Sequence, residues 1–261
     1  MFNIISDRIN SLSGTVGLVI EDLQGKNRKE WNATELFPAA SVIKLPILWE
    51  LFSRVEKKDF SLQDEVELLE EDKVEGFGIL KEMHAGLRLS LKDIATLMIV
   101  LSDNVATNML IDLLGMDNIN DTIESLGLKQ TSLQRKMMDS EAKDRGADNF
   151  TSPEDVALLL RHYLENAELS SFSRDVMLDI LLRQQCNNKL PFRMPPGAPF
   201  AHKTGDLPGT EHDVGILLFP EKTLLVVVMT KDLRDNQKGI IFHNEIGELL
   251  YTTFAMTHIK E

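Results

Sequence analysis

Strand-forming segments occur only at the two ends of this chain. Near the start, GTVGLVIEDL (14–23) is a β-branched run closed by the turn residues QGKN, and KEWN (29–32) reads as its returning partner. Near the end, AHKTG (201–205), HDVGILLFP (212–220) and TLLVVVMTKD (223–232) read as strands, the last two flanking a tight turn at Pro220–Glu221–Lys222. From Ser41 to about Gln185 the signals are helical. An isolated hairpin is marginal in water, so strands from opposite ends gain by joining one sheet. The middle of the chain must then leave that sheet and return to it. The expected architecture is α+β: an antiparallel sheet built from both chain termini, flanked by terminal helices, with an inserted all-α domain. The discontinuous α/β domain is expected at 1–36 and 190–261, and the insert at 37–189.

Local signals support the helices. Phe2, Ile5, Ile9 and Leu12 recur at helical spacing, and 236–258 reads as a long closing helix. Ser90 followed by Asp93 is a capping-box start for 90–102. Gly115 and Gly127 stand where 104–115 and 118–127 should stop. Ser152 and Pro153 open 151–167 with two acids in the first turn, and 173–185 is a further amphipathic helix. KLPFRMPPGAPF (189–200) is a proline-rich connection between the helices and the last strands.

With 261 residues and 43% hydrophobic content, the chain can bury a large core. Its net charge of -13 argues against nucleic acid or an anionic membrane as partner. The single cysteine, Cys186, reads as a small core residue. The N-terminus has neither a basic region nor a continuous apolar one, so it does not read as a signal peptide. No segment is long enough to span a membrane. As written the chain reads as cytoplasmic; with a leader removed it would read as periplasmic or extracellular. No partner protein is implied.

The chemistry starts at FPAASVIKLPILWELF (37–52), where Ser41 and Lys44 lie one turn apart in an apolar helix. A lysine deprived of water has a depressed pKa. As a neutral amine it can take the proton of a nearby serine and make it a nucleophile. On this segment alone, an N-cap serine and a lysine snorkelling to solvent explain the residues equally well. Pro46 removes a backbone donor just after the pair and is expected to bend the helix. A second Ser-x-x-Lys, Ser140–Lys143, lies in a polar stretch and reads as coincidence.

Two further motifs follow in order. Ser102–Asp103–Asn104 lies between two helices, where Asn104 could simply be a cap. Lys203–Thr204–Gly205 lies on a strand, where a charge and a glycine bend could simply protect an edge. Together with Ser41–Lys44, they resemble the S-x-x-K, S-D-N and K-T-G set of class A β-lactamases and penicillin-binding proteins. GFGILKEMHAGLRLSLKDIATLMIVLSDNVATN and TSPEDVALLL are similar to class A segments. The resemblance covers nearly the whole chain.

The resemblance implies roles. Ser41 would be the acylated nucleophile, Lys44 would help activate it, and Ser102 would relay a proton to the leaving nitrogen. Asn104 would contact the substrate amide and Lys44. Lys203 would supply positive potential, Thr204 a hydrogen bond to a substrate carboxylate, and Gly205 room for close approach. The oxyanion hole would be the N–H groups of Ser41 and Asp206, on the order of 3 kcal/mol per donor. The implied protein is a serine hydrolase that acts on a small-molecule β-lactam, or on a peptide-like amide or ester. Alternatives are a D-alanyl peptidase, amidase or esterase, and a sensor that stays acylated. No cofactor or metal is implied, since no histidine pair has ligand spacing.

One departure bears on turnover. In LQRKMMDSEAKDRGADNF, Met137 falls where class A enzymes carry the glutamate that positions the deacylating water. Asp139 and Glu141 are the nearest carboxylates, with loop anchoring as the expected role of both. Acylation could proceed, and deacylation of a β-lactam is expected to be slow. Asp206, Glu211 and Asp213 put acid beside the expected carboxylate site, which would weaken binding there. Asp213 has His202, His212 or Lys203 as candidate partners.

Overall fold

The structure, a computed structural model, describes residues 1–25 and 27–255. Helix α1 (Phe2–Ser11) leads into strands β1 (Thr15–Asp22) and β2 (Asn27–Trp31). Strand β3 (Phe37–Pro38) and a 3₁₀ turn at Ala40–Ile43 precede α2 (Lys44–Glu56). Strands β4 (Glu65–Glu67) and β5 (Arg88–Ser90) come before α3 (Leu91–Val100), α4 (Asn104–Leu114) and α5 (Met116–Ser125). After these lie α6 (Ser140–Asp144), β6 (Phe150–Thr151), α7 (Pro153–Glu165) and α8 (Ser171–Leu182). Strands β7 (Phe200–Leu207), β8 (Thr210–Phe219) and β9 (Lys222–Lys231) and helix α9 (Asn236–Ala255) close the chain. The final residues expected in that helix, 256–258, lie outside the described residues.

The main sheet has strand order β2-β1-β9-β8-β7, every pair antiparallel. Its centre joins the first strand to the last, with Val19 opposite Val227. Successive strand residues face opposite sides, and here both sides are covered. Val16, Leu18, Ile20, Val226 and Val228 pack with Ile5 and Ile9 of α1 and with Phe242 and Ile246 of α9. Val19, Val214, Ile216, Val227 and Met229 pack into the core shared with α2, α3 and α4. Two-sided burial is why 223–232 is continuously apolar and does not alternate. Among the described residues, no helix is long and apolar enough to cross a membrane.

The expected caps are present. Ser90 accepts the Asp93 N–H, and Asp93 returns a bond to the Ser90 N–H. Ser152 accepts the Asp155 N–H, with Pro153 as the first helical residue of α7. Gly115 ends α4 at φ +84°, a conformation that strains any residue with a Cβ. Pro46 falls in the first turn of α2, where a missing N–H removes no α-helical bond. Its place in the first turn is one where proline is accommodated. Trp49 of α2 stacks on Tyr163 with ring centroids 5.6 Å apart, and the Tyr163 hydroxyl donates to Leu45 O at 2.6 Å.

The middle of the chain is not purely helical. Strand β3 pairs with β6 and β4 with β5, each antiparallel and two or three residues long. Such short ladders leave no readable period in a sequence. The first of them matters, because it ties residues 150–151 to the segment that leads into Ser41.

Candidate active site

Ser41 sits in the 3₁₀ turn Ala40–Ile43, half-buried at a cleft of about 350 Å³ that Asn104, Met137, Asp139 and Asp206 also line. Ala39 donates its N–H to Asn149 O at 2.7 Å, anchoring the turn to the loop across the cleft. Ala40 is held at φ +45°, a left-handed conformation that costs a non-glycine residue on the order of 1 kcal/mol. The strain falls one residue before the candidate nucleophile.

Lys44, fully buried, is the first residue of α2. Its Nζ lies 2.6 Å from Ser102 O, 3.1 Å from Ser102 Oγ and 3.0 Å from Asn104 Oδ1. Burial, reinforced by the Lys203 ammonium, holds its pKa well below the ordinary lysine value. The snorkelling alternative is therefore excluded. The Ser41 hydroxyl is not among the hydrogen-bond partners of Lys44 in this structure; the lysine reaches past it to Ser102.

Ser102 is buried and held at φ +54° in the link between α3 and α4. Its hydroxyl lies between two lysines, with Lys203 Nζ donating from 3.0 Å. Lys203 is also fully buried, and burial brings its pKa down to about 8. A neutral Lys44 can accept from the Ser102 O–H while Lys203 donates to the same oxygen. The three groups then form a continuous proton path.

Asn104 does not cap α4. That role belongs to Asp103, whose Oδ1 accepts the Ala106 N–H at 2.9 Å. Its Oδ2 accepts the N–H groups of Ile79 and Leu80 at 2.7 and 2.9 Å, fixing the loop above the site. Asn104 is thereby free to accept from Lys44 and to donate to Glu75 O at 3.2 Å.

Strand β7 brings the third motif alongside Ser41. A Cβ on Gly205 would lie 3.1 Å from Ala40 Cβ and 3.3 Å from the His212 ring, so a larger residue here would push the nucleophile turn or His212 back by a few tenths of an ångström. Thr204 Oγ1 is buried without a hydrogen-bond partner among the described residues. Buried orphans of this kind are rare and call for an explanation. Asp206 follows at the cleft.

The loop opposite holds Met137 firmly. Asn108 accepts the Met137 N–H at 2.8 Å and donates to Met137 O at 3.1 Å. Asp139 lines the cleft, but its Oδ1 caps α6 through the Ala142 N–H at 2.9 Å. Glu141 is exposed beside Arg145 and does not line the cleft. Ser140 and Lys143 lie at the cleft with both side chains exposed, far from the burial that alters Lys44. Of the three candidate partners, His202 pairs with Asp213, Nδ1 to Oδ1 at 2.7 Å. His212 donates from Nε2 to Pro38 O at 2.8 Å, and burial lowers its pKa to about 4. Cys186 is only partly buried.

Sequence reasoning missed Lys189. Its fully buried ammonium lies 2.7 Å from Asp206 Oδ1 and 2.8 Å from Glu211 Oε2. The acids expected to oppose a substrate carboxylate are thus already partnered. A lone lysine in a proline-rich connection carries no spacing signal.

A sheet assembled from both chain ends, covered by helices on both faces, defines a serine β-lactamase-like fold. The profile described as "Beta-lactamase enzyme family" matches residues 2–254. A β-lactamase from Sphaerobacter thermophilus DSM 20745 is similar at 33% identity and TM-score 0.90, with 98% of each chain covered. A mutant of PBP-A, solved as an acyl-enzyme complex with penicillin G, is 30% identical at TM-score 0.88, covering 98% of this chain and 96% of that one. An ancestral class A β-lactamase shares the fold at 23% identity and TM-score 0.87, covering 96% and 98%. The chain belongs to the β-lactamase enzyme family.

Proposed function

We propose that this protein is a serine hydrolase that opens β-lactams, or related peptide-like amides, through an acyl-enzyme on Ser41. The observation that carries the reading is the Ser102 hydroxyl held between Lys44 at 3.1 Å and Lys203 at 3.0 Å, both lysines fully buried. Neutral Lys44 takes the Ser41 proton as Oγ attacks the carbonyl carbon. The Ser41 and Asp206 N–H groups receive the developing oxyanion. The proton passes through Ser102 to the leaving nitrogen as the C–N bond breaks, which leaves an ester on Ser41. Lys203 and the unpartnered Thr204 hydroxyl receive the substrate carboxylate. The acyl complex of a PBP-A mutant with penicillin G supports expecting the same kind of ester here.

Met137 favours slow release of that ester. A thioether neither orients nor deprotonates water, and Asp139 is committed to capping α6. A long-lived adduct would suit a D-alanyl-peptidase-like enzyme or an acylated sensor better than a fast β-lactamase. Mixing the protein with a chromogenic cephalosporin, and following colour and intact mass together, separates these readings. Steady turnover supports the β-lactamase. A stoichiometric burst with a persistent adduct, absent in Ser41→Ala, supports the slow-release forms. Neither colour nor adduct would remove β-lactams as substrates.

A further inference from the structure

Lys189 grips the end of β7 from behind. Beyond its contacts with Asp206 and Glu211, its Nζ donates to Gly205 O at 3.1 Å and to His212 O at 3.2 Å. Its own backbone is clamped, because Asn244 Nδ2 donates to Lys189 O at 2.8 Å. Glu211 is held on its other oxygen by Asn236 Nδ2 at 2.8 Å. This is a built ammonium site under the strand that carries Lys203–Thr204–Gly205.

The location is the informative part. Thr204 and Asp206 are two residues apart on one strand, so their side chains share a face and lie roughly 7 Å apart along it. The Asp206 side chain is 30% exposed and lines the cleft. An unanswered carboxylate there would repel an anion seated at Thr204 by about tenfold or more in affinity, the scale of one charge at this range in a partly solvated site. Burial alone would raise the Asp206 pKa, yet Lys189, together with a hydrogen bond from Glu211 and the more distant Lys203, holds the carboxyl below its ordinary value. Lys203, by contrast, has no carboxylate at ion-pair distance among the described residues. It donates to Ser102 Oγ and Thr204 O.

We infer that Lys189 is a positioning residue for an anionic substrate: it takes up the charge of Asp206 and fixes the end of β7, leaving Lys203 free to meet a substrate carboxylate at Thr204. The inference rests on the function proposed above. It goes further in assigning preference for a carboxylate-bearing substrate to a lysine that never touches it.

The test compares the free acid of a chromogenic cephalosporin with its neutral methyl ester, reading the second-order acylation constant by intact mass and colour. The acid-to-ester ratio is expected to fall about tenfold in Lys189→Met. It is expected to return to within about threefold of the parent in Lys189→Met/Asp206→Asn, where the uncompensated charge is removed. Asp206→Asn alone keeps the lysine and is expected to raise the ratio; if Lys189→Met does not fold, Asp206→Asn read against the double variant decides the matter, with the higher ratio expected where the lysine is kept. An unchanged ratio in folded Lys189→Met, or no rise in Asp206→Asn, overturns the inference. A parent protein acylated by neither compound overturns the proposed function, and the inference with it.

Discussion

Replacing Met137 with glutamate tests why the acyl-enzyme should persist. Met137 is 8% exposed and lines the cleft that holds Ser41. Its backbone is pinned through both its N–H and its C=O by Asn108, so substitution changes the side chain and leaves its anchor in place. Glutamate is nearly isosteric with methionine and would carry a carboxylate into the same space. A positioned general base contributes about 10²–10⁴ in rate. Deacylation should therefore accelerate at least 100-fold, equivalent to about 2.7 kcal/mol off the barrier at 1.36 kcal/mol per decade. Burying the carboxylate has a cost above the ~1–3 kcal/mol of a neutral polar group, at roughly 2–4 °C in Tm for each kcal/mol in a chain of this size. The assay is the lifetime of the Ser41 adduct, followed by intact mass after excess cephalosporin is removed. An adduct that forms normally in Met137→Glu and decays within threefold of the parent rate would refute the reasoning. Either Met137 would not face the ester, or water there would be unable to reach it.

Two other substitutions probe how the site is assembled. Gly205→Ala places a methyl 3.1 Å from Ala40 Cβ and should slow acylation tenfold or more with little change in melting temperature, because the misfit falls between the strand and the nucleophile turn. Circular dichroism melting alongside the acylation rate checks both halves of that statement. Asp103→Ala removes the cap of α4 and two bonds to the loop at Ile79 and Leu80. It should cost roughly 2–4 kcal/mol in denaturant unfolding, as the sum of a lost cap and buried donors left unpaired.

The fold was legible because its signals were long and consistent. Strand runs at 14–23 and 223–232 and caps at Ser90 and Ser152 needed no tertiary information. Ser41, Lys44, Ser102 and the 203–205 segment were legible because polar residues stood out against apolar neighbours at fixed order. The remainder depends on contacts between distant segments. Lys189 meets Asp206 and Glu211 only when the proline-rich connection folds under β7. Asp103, not Asn104, became the cap because the backbone places its carboxylate over the first turn. The ladder between β3 and β6 is too short to show in a sequence, yet it sets the wall opposite Ser41. The acidity read at 206–213 was correct in composition and misleading in effect, since its compensating charge lies at a position no local pattern connects to it.

The central claim is that Lys44 is a neutral base while Lys203 is a cation. Lys44 is needed deprotonated, so acylation should rise with pH through its depressed pKa. Lys203 is needed protonated, so acylation by a carboxylate-bearing substrate should fall as pH rises through about 8. The direct measurement is the second-order acylation constant of a free-acid cephalosporin from pH 5 to 11. The account gives an acid limb that levels off well below the ordinary lysine value and an alkaline limb near 8. A rate that keeps climbing toward 10.5, the ordinary lysine value, would show that Lys44 is charged at neutral pH and would contradict it.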